Sequence, residues 1–401
     1  MGSELKLSGG HRAALTAIGC GVMATYAVVA LTTAAVSPAL PHSHAAIGDF
    51  MLAHFLGFLV ASVVTGFLSD RLGRKGFMLS GCLLLSAGSL GMLWCDRFWL
   101  GMAAMGLTGI GGGAMGPPVL AMVGQVHPTR RSGMTSMVES FFCFGAALWP
   151  LALAVVLPAA ASWRLPGALA FLNREPSVWR LPFAMAAVLP WVLGAAIAVV
   201  PFPAFHDVKR RDAGRRLALL KHPFFLLSAA AIFSYAAAEA GTQQWLPRYF
   251  DERFTKPLLM GNAALALFWG AMGTCRLAWP VLARWVRDRH MLIASMAAAL
   301  VLNAAAVAAP YPAAAVLLFG GLGLAFGAVW PLLVAGIGDH YHHMAGTATG
   351  TLVAVSGVGA MLGPFVLGQI AQVTTVHVAL WSAVGVTALS LAACALIPDG
   401  K

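Results

Sequence analysis

"GFLSDRLGRKGFML", residues 66–79, sets four charges, Asp70, Arg71, Arg74 and Lys75, and three glycines between flanks that could both dissolve in lipid. Such a stretch has a role only if the apolar runs on either side are membrane helices. The composition of the whole chain says that they are. Of 401 residues, 60% are hydrophobic and only 10% charged, against about a quarter charged in an ordinary soluble domain. That excludes a soluble globular protein. The working unit becomes the span of roughly 20 apolar residues that crosses about 30 Å of hydrocarbon. The formal charge of +11 falls in short bursts between apolar runs. It reads as topological bias rather than a nucleic-acid surface, and no nucleic-acid partner is expected.

Apolar segments occupy residues 12–40, 47–69, 76–95, 98–123, 132–157, 178–203, 223–246, 258–282, 291–309, 313–337, 346–370 and 375–397, which makes twelve spans. Each is expected to be a helix, because a helix satisfies its own backbone hydrogen bonds in lipid. The first run is too long for a signal-peptide core and is expected to stay as a membrane helix. With the N-terminus inside, 17 of the 25 Lys and Arg residues fall in inner loops and tails, 7 in outer loops, and Arg276 within a span. This bias places both termini in the cytoplasm, in a bacterial inner membrane. The longest polar inner segment, "HDVKRRDAGRRLALLKH" at 206–222, reads as a linker. The expected organisation is a six-helix bundle over 1–203, a cytoplasmic linker over 204–222 and a second bundle over 223–401.

The two halves resemble each other at an offset of 214 residues: Gly109, Gly113 and Pro117 fall on Gly323, Gly327 and Pro331, and Gly145 and Pro150 on Gly359 and Pro364. A repeated half with a central linker is a common transporter plan, with the solute held near the midplane between repeats.

Gly66-x-Leu68-x-Asp70-Arg71-x-Gly73-Arg74-Lys75 resembles, at every defining position, the G-x-L-x-D-R-x-G-R-K signature of the major facilitator superfamily. The resemblance implies an all-α membrane protein of twelve transmembrane helices in two pseudo-symmetric bundles, working as a secondary transporter. It also implies a gating role for Asp70, Arg71 and Arg74, a latch that stabilises one conformation. The chemistry agrees: Asp70 at the end of a span can meet a helix N-terminus or a basic side chain, Gly66 allows close helix packing, and Gly73 suits a tight turn.

An ionisable side chain in the bilayer interior costs at least a few kcal/mol and is a functional candidate by default. Glu139 lies eight residues past Arg131, about 12 Å deep at the helical rise; Glu239 lies inside span seven and Arg276 inside span eight. These three are the expected proton-coupling residues. In "FFLLSAAAIFSYAAAEAGTQQWLPRYF", Tyr235, Glu239, Thr242 and Gln243 sit three or four residues apart on one helix face. With Trp245, and with Tyr26 of span one and Trp330 of span ten, they make the expected solute-binding set. The pattern Glu239, Trp245, Leu246, Tyr249 and the "GTCR" ending at Arg276 are similar to those of fucose-permease-like sugar:proton symporters. The chain departs from the drug-antiporter pattern: Met105 stands where that branch has an arginine before "GIGGG", and "GAALWP" carries Trp149 in place of a glycine.

The expected function is therefore proton-coupled symport of a small organic solute by a lipid-embedded monomer. The alternatives are an exporter of amphipathic compounds, favoured by Phe141, Phe142, Phe144 and Trp149, and a transporter-shaped sensor. There is no nucleophile, base and orienter set and no nucleotide cradle, so neither enzyme activity nor a cofactor is expected. The six cysteines lack metal-like spacing and read as packing residues. "HSH" at 42–44 and "DHYHH" at 339–343 lack further ligands in sequence view, so no metal is expected.

Overall fold

The computed structural model describes residues 8–160, 162–163, 166–172, 178–202, 222–254, 258–282, 288–341 and 345–398. The proposed linker, apart from His222, lies outside them. Spans one to six are Gly9–Val36, His44–Leu72, Arg74–Gly91, Phe98–Val126, Arg131–Ala160 and Arg180–Val199. Spans seven to nine are Pro223–Phe254, Leu258–Leu282 and Asp288–Ala308, and spans eleven and twelve are Ala345–Val373 and Val376–Leu396. Span ten is two pieces, Pro312–Phe326 and Val329–His340. Among the described residues, eleven of these units are long and apolar enough to cross a membrane. Leu258–Leu282, with 25 residues, is also long enough at about 1.5 Å per residue.

The break in span ten differs from the continuous helix expected over 313–337. Its cause is local: Pro331 has no N–H for the Gly327 carbonyl, and its ring crowds that carbonyl. Span four meets the same problem at Pro117 and Pro118 yet stays helical. There the Gly113 carbonyl, which Pro117 leaves without a helical donor, accepts from the Thr65 hydroxyl of span two at 2.9 Å.

The helices pair in two matching sets. Spans two and four, one and five, three and four, and three and six pack in the first half; spans eight and ten, seven and eleven, nine and ten, and nine and twelve pack in the second. The halves meet through spans two and eleven and through spans five and eight, which are images of each other under the repeat. The glycine offset has a physical basis. A Cβ on Gly109 would stand 1.9 Å from the His54 carbonyl oxygen, and a Cβ on Gly323 2.0 Å from that of Phe268. His54 and Phe268 are themselves 214 residues apart, so the same backbone-to-backbone approach was kept twice. Buried polar side chains add matching ties, Ser86 to the Ala187 carbonyl at 2.9 Å between spans three and six and Asn303 to Thr387 at 3.1 Å between nine and twelve.

Gly73 takes a φ of +96° between spans two and three, the tight turn expected of the motif, and its N–H reaches the Ser69 carbonyl at 3.1 Å. Gly66 does not show the close packing expected of it: a Cβ there would meet no described atom within 4 Å.

Replacing Thr65 by Val should leave the Gly113 carbonyl without a donor in a water-poor interior and destabilise the protein by about 1–3 kcal/mol. Thr65→Ser should lose much less, a difference readable as the midpoint of unfolding in detergent mixtures.

Candidate functional site: a buried arginine between two glutamates

Arg276 of span eight is the centre of the only-charged interior that the sequence singled out. Its guanidinium interacts electrostatically with Glu139 of span five and with Glu239 and Tyr235 of span seven, and Nη1 donates to Cys143 Sγ of span five at 3.6 Å. Glu139 and Cys143 are one helical turn apart, as are Tyr235 and Glu239, so each pair shares a helix face. Arg276, Glu139 and Glu239 are surrounded by protein yet keep part of their surface uncovered. That combination belongs to side chains lining an interior space. The structure thus brings together from three helices the three charges that sequence could place only singly.

Two donors at this point lack hydrogen-bond partners among the described residues, Arg276 Nε and the Tyr235 hydroxyl, and so does the Trp269 indole N–H two turns earlier on span eight. Tyr235 stands close enough to Glu239 and Arg276 to feel both charges without a hydrogen bond of ordinary geometry to either. An orphaned buried donor costs about 1–3 kcal/mol, and the guanidinium's own Nε with the Tyr235 hydroxyl near it is suited to acceptor oxygens of a bound solute.

The walls are aromatic. Ring contacts run from Phe58 to Tyr26 at 5.4 Å, from Tyr26 to Phe142 at 5.7 Å, and from Phe142 to Trp269 at 5.2 Å, where they cross from the first half to the second. They continue from Trp269 to Phe268 at 5.7 Å, to Phe326 at 6.2 Å, and to Tyr235 at 5.3 Å. Sequence reasoning missed Trp269, although it lies seven residues before Arg276 and therefore on the same helix face. Phe142 it connected only with amphipathic solutes.

Other expected site residues lie elsewhere or are already occupied. Trp245 is fully buried, and its indole N–H donates to the Pro364 carbonyl of span eleven at 3.1 Å. Gln243 is buried with Oε1 unpartnered among the described residues. Trp330 is half-buried in the second piece of span ten. On span one, Thr32 accepts from the Trp149 indole at 2.9 Å, and Thr33 donates to Met105 Sδ; neither belongs to the expected set.

At the end of the bundle opposite the termini the halves are tied together. His44 donates to Glu252 Oε1 at 2.6 Å, Arg248 donates to the same oxygen at 3.3 Å and to the Ser37 carbonyl at 2.9 Å, and Gln369 reaches Asp49 at 3.4 Å. Gly48 and Gly368 lie backbone to backbone beside these contacts. His44 thus has a partner other than a metal, and His42 bonds the Cys95 carbonyl at 2.7 Å; residues 342–343 lie outside the described residues.

The side chains of Asp70 and Arg71 also lie outside the description. Arg74 is buried and donates to Gln125 at the end of span four at 2.9 Å. Lys75 donates to the carbonyls of Ala198 and Val200, at 2.8 and 3.0 Å, which cap the C-terminal end of span six, where a cation suits the helix dipole. Part of the charged turn thus fastens helices of its own half.

Known proteins carry the same plan. The family model of the Major Facilitator Superfamily matches residues 15–364. A gentisate transporter of Corynebacterium glutamicum is 26% identical over 348 residues, 81% of this chain and 73% of that one. The 4-hydroxybenzoate transporter PcaK of Pseudomonas putida is 29% identical over a shorter stretch of 112 residues, 27% of this chain and 25% of that one. Among solved structures, the D-xylose-proton symporter aligns with a TM-score of 0.73 over 98% of each chain, and the Escherichia coli fucose:proton symporter with 0.66 over 96% of this chain and 98% of that one, both at 14% identity. With the signature turn, the doubled helix packing and a match across most of its length, the chain belongs to the major facilitator superfamily, an integral membrane secondary transporter rather than an enzyme.

Proposed function

We propose that this protein carries a small aromatic monocarboxylate across the membrane together with protons, by alternating access between the two halves. The observation that carries this reading is Arg276 with its Nε unpartnered among the described residues, near Tyr235 at the end of a run of aromatic contacts. A ring fits among Tyr26, Phe142, Trp269 and Tyr235, and a carboxylate fits the guanidinium fork. The names of the gentisate and 4-hydroxybenzoate transporters point to the same class.

Charge counting supplies the coupling. Arg276 balances one of the two glutamates, and an arriving carboxylate adds a further negative charge. Net charge in a membrane interior is costly, so electroneutrality favours protons entering Glu239 or Glu139 with the anion. Tyr235 and Gln243 supply hydrogen bonds to the solute. Trp245 and Trp330, from the same expected set, support the packing around it. In the expected orientation, with both termini in the cytoplasm of a bacterial inner membrane, the tied end is the outer gate. Asp70, Arg71 and Arg74 then latch the inner end in the opposite state, and the lipid-embedded unit is a monomer.

Proteoliposomes loaded with labelled 4-hydroxybenzoate test the coupling. Glu239→Gln should retain exchange between equal concentrations and lose accumulation driven by a pH gradient, since the amide imitates the protonated acid. Glu139→Gln is run in parallel. If both variants build a gradient at the wild-type rate, the proton site lies elsewhere.

Glu252→Gln should loosen the tied end. Exposed ion pairs are worth about 0.2–1 kcal/mol, so a severalfold rise in the population open there is expected. Spin-label distances between the far ends of spans one and seven read it, and an unchanged distribution removes Glu252 from the gate.

A further inference from the structure

His54 of span two is almost fully buried and belongs to none of the charged contacts above. Its two ring nitrogens have different neighbours, and those neighbours fix its tautomer. Nδ1 lies 2.9 Å from the Thr108 hydroxyl oxygen of span four, and that hydroxyl spends its one proton on the Met105 carbonyl at 2.7 Å. The Met105 carbonyl is itself beside the His54 ring. Both groups on this side accept, so Nδ1 carries the ring proton. Nε2 then presents a lone pair, and 3.2 Å away stands the Tyr26 hydroxyl. Tyr26 must donate to it. With its proton committed, the phenol oxygen has only lone pairs left to offer.

The tyrosine is held in this attitude from several sides. Its ring stacks on Phe58 and His54, at 5.4 and 5.9 Å between centroids. A Cβ on Gly112 would stand 2.2 Å from the ring, so that glycine makes its place. The remaining edge meets Phe142 at 5.7 Å, the ring that bridges to Trp269 of span eight. Tyr26 is half-buried, as a residue bordering the interior space would be.

We infer that the His54–Thr108 pair fixes Tyr26 as a hydrogen-bond acceptor toward the solute, so that the first half selects a hydroxyl-bearing ring while Arg276 in the second half takes the carboxylate. This rests on the aromatic-acid reading above and adds the specificity device. His54 is a positioning residue in it, and Tyr26 the contact. The pseudo-symmetry marks the arrangement as acquired by one half: the residue 214 positions on from His54 is Phe268, and from Thr108 it is Leu322, so the second half cannot form the relay.

Affinities of the purified protein for benzoate, 4-hydroxybenzoate, 3-hydroxybenzoate and 4-methoxybenzoate, measured by calorimetry, test it. The wild type should favour its preferred hydroxybenzoate over benzoate by roughly three- to tenfold, the range of one net hydrogen bond, and should discriminate against the methoxy compound, which cannot donate. In Tyr26→Phe the hydroxyl preference should fall to within about twofold. In His54→Leu the tyrosine proton is released, so the ratio of methoxy to hydroxy affinity should rise. Should His54→Leu not fold, Thr108→Val removes one of the two acceptors that set the tautomer and should move the same ratio in the same direction by a smaller amount. A wild-type hydroxyl preference in Tyr26→Phe overturns the contact, and unchanged ratios in the His54 and Thr108 variants overturn the positioning. If the wild type binds none of the four acids, the aromatic-acid reading itself fails and takes this inference with it.

Discussion

A guanidinium inside a membrane bundle keeps its proton and must find counter-charge there. Arg276 has Glu139 and Glu239, on two other helices, within electrostatic reach. Spans five and eight meet at this level, so the arginine of the second half lies against Cys143 of the first. The pairing is incomplete, with Nε unpartnered among the described residues. A fully satisfied arginine would be a structural strut, whereas this one retains capacity for another anion. In the proposed function the same incompleteness ties binding to protons, because one cation cannot neutralise three carboxylates at once.

Around this centre the two halves share a scaffold and differ in chemistry. The close approach at Gly109 and at Gly323 recurs at the same offset as the helix pairings, so the backbone frame is duplicated. The functional groups are not. His54 faces its partners in the first half where Phe268 stands in the second, and Arg276 in the second corresponds to Ser62 in the first. The proposed alternating access needs contacts that break as units, and the cluster of His44, Arg248 and Glu252 at the tied end could serve as such a unit.

Much of this was legible in the sequence because lipid imposes simple rules. Twelve apolar runs, the turn at Gly73 and the repeat offset all follow from hydropathy, backbone conformation and close packing. The break near Gly327 was hidden, since the apolar run through Pro331 is continuous and only the lost hydrogen bond interrupts it. Glu139, Glu239 and Arg276 each stood out as costly charges, but helical periodicity gives a face and not the neighbour that face meets. Trp245 looked like a binding residue from a short motif, while its N–H ties span seven to span eleven. The link from His54 to Tyr26 depends on three helices meeting, which spacing along the chain cannot express.

The most direct test of the arginine's role compares an anion with its neutral shape-mate. Calorimetric titration of the purified protein with benzoate and with benzamide should show a clear preference for the carboxylate in the wild type. In Arg276→Gln that preference should vanish, leaving both compounds bound with similar weak affinity through their rings. A carboxylate preference that survives Arg276→Gln would place the anion somewhere else in the protein and contradict the central role of this residue.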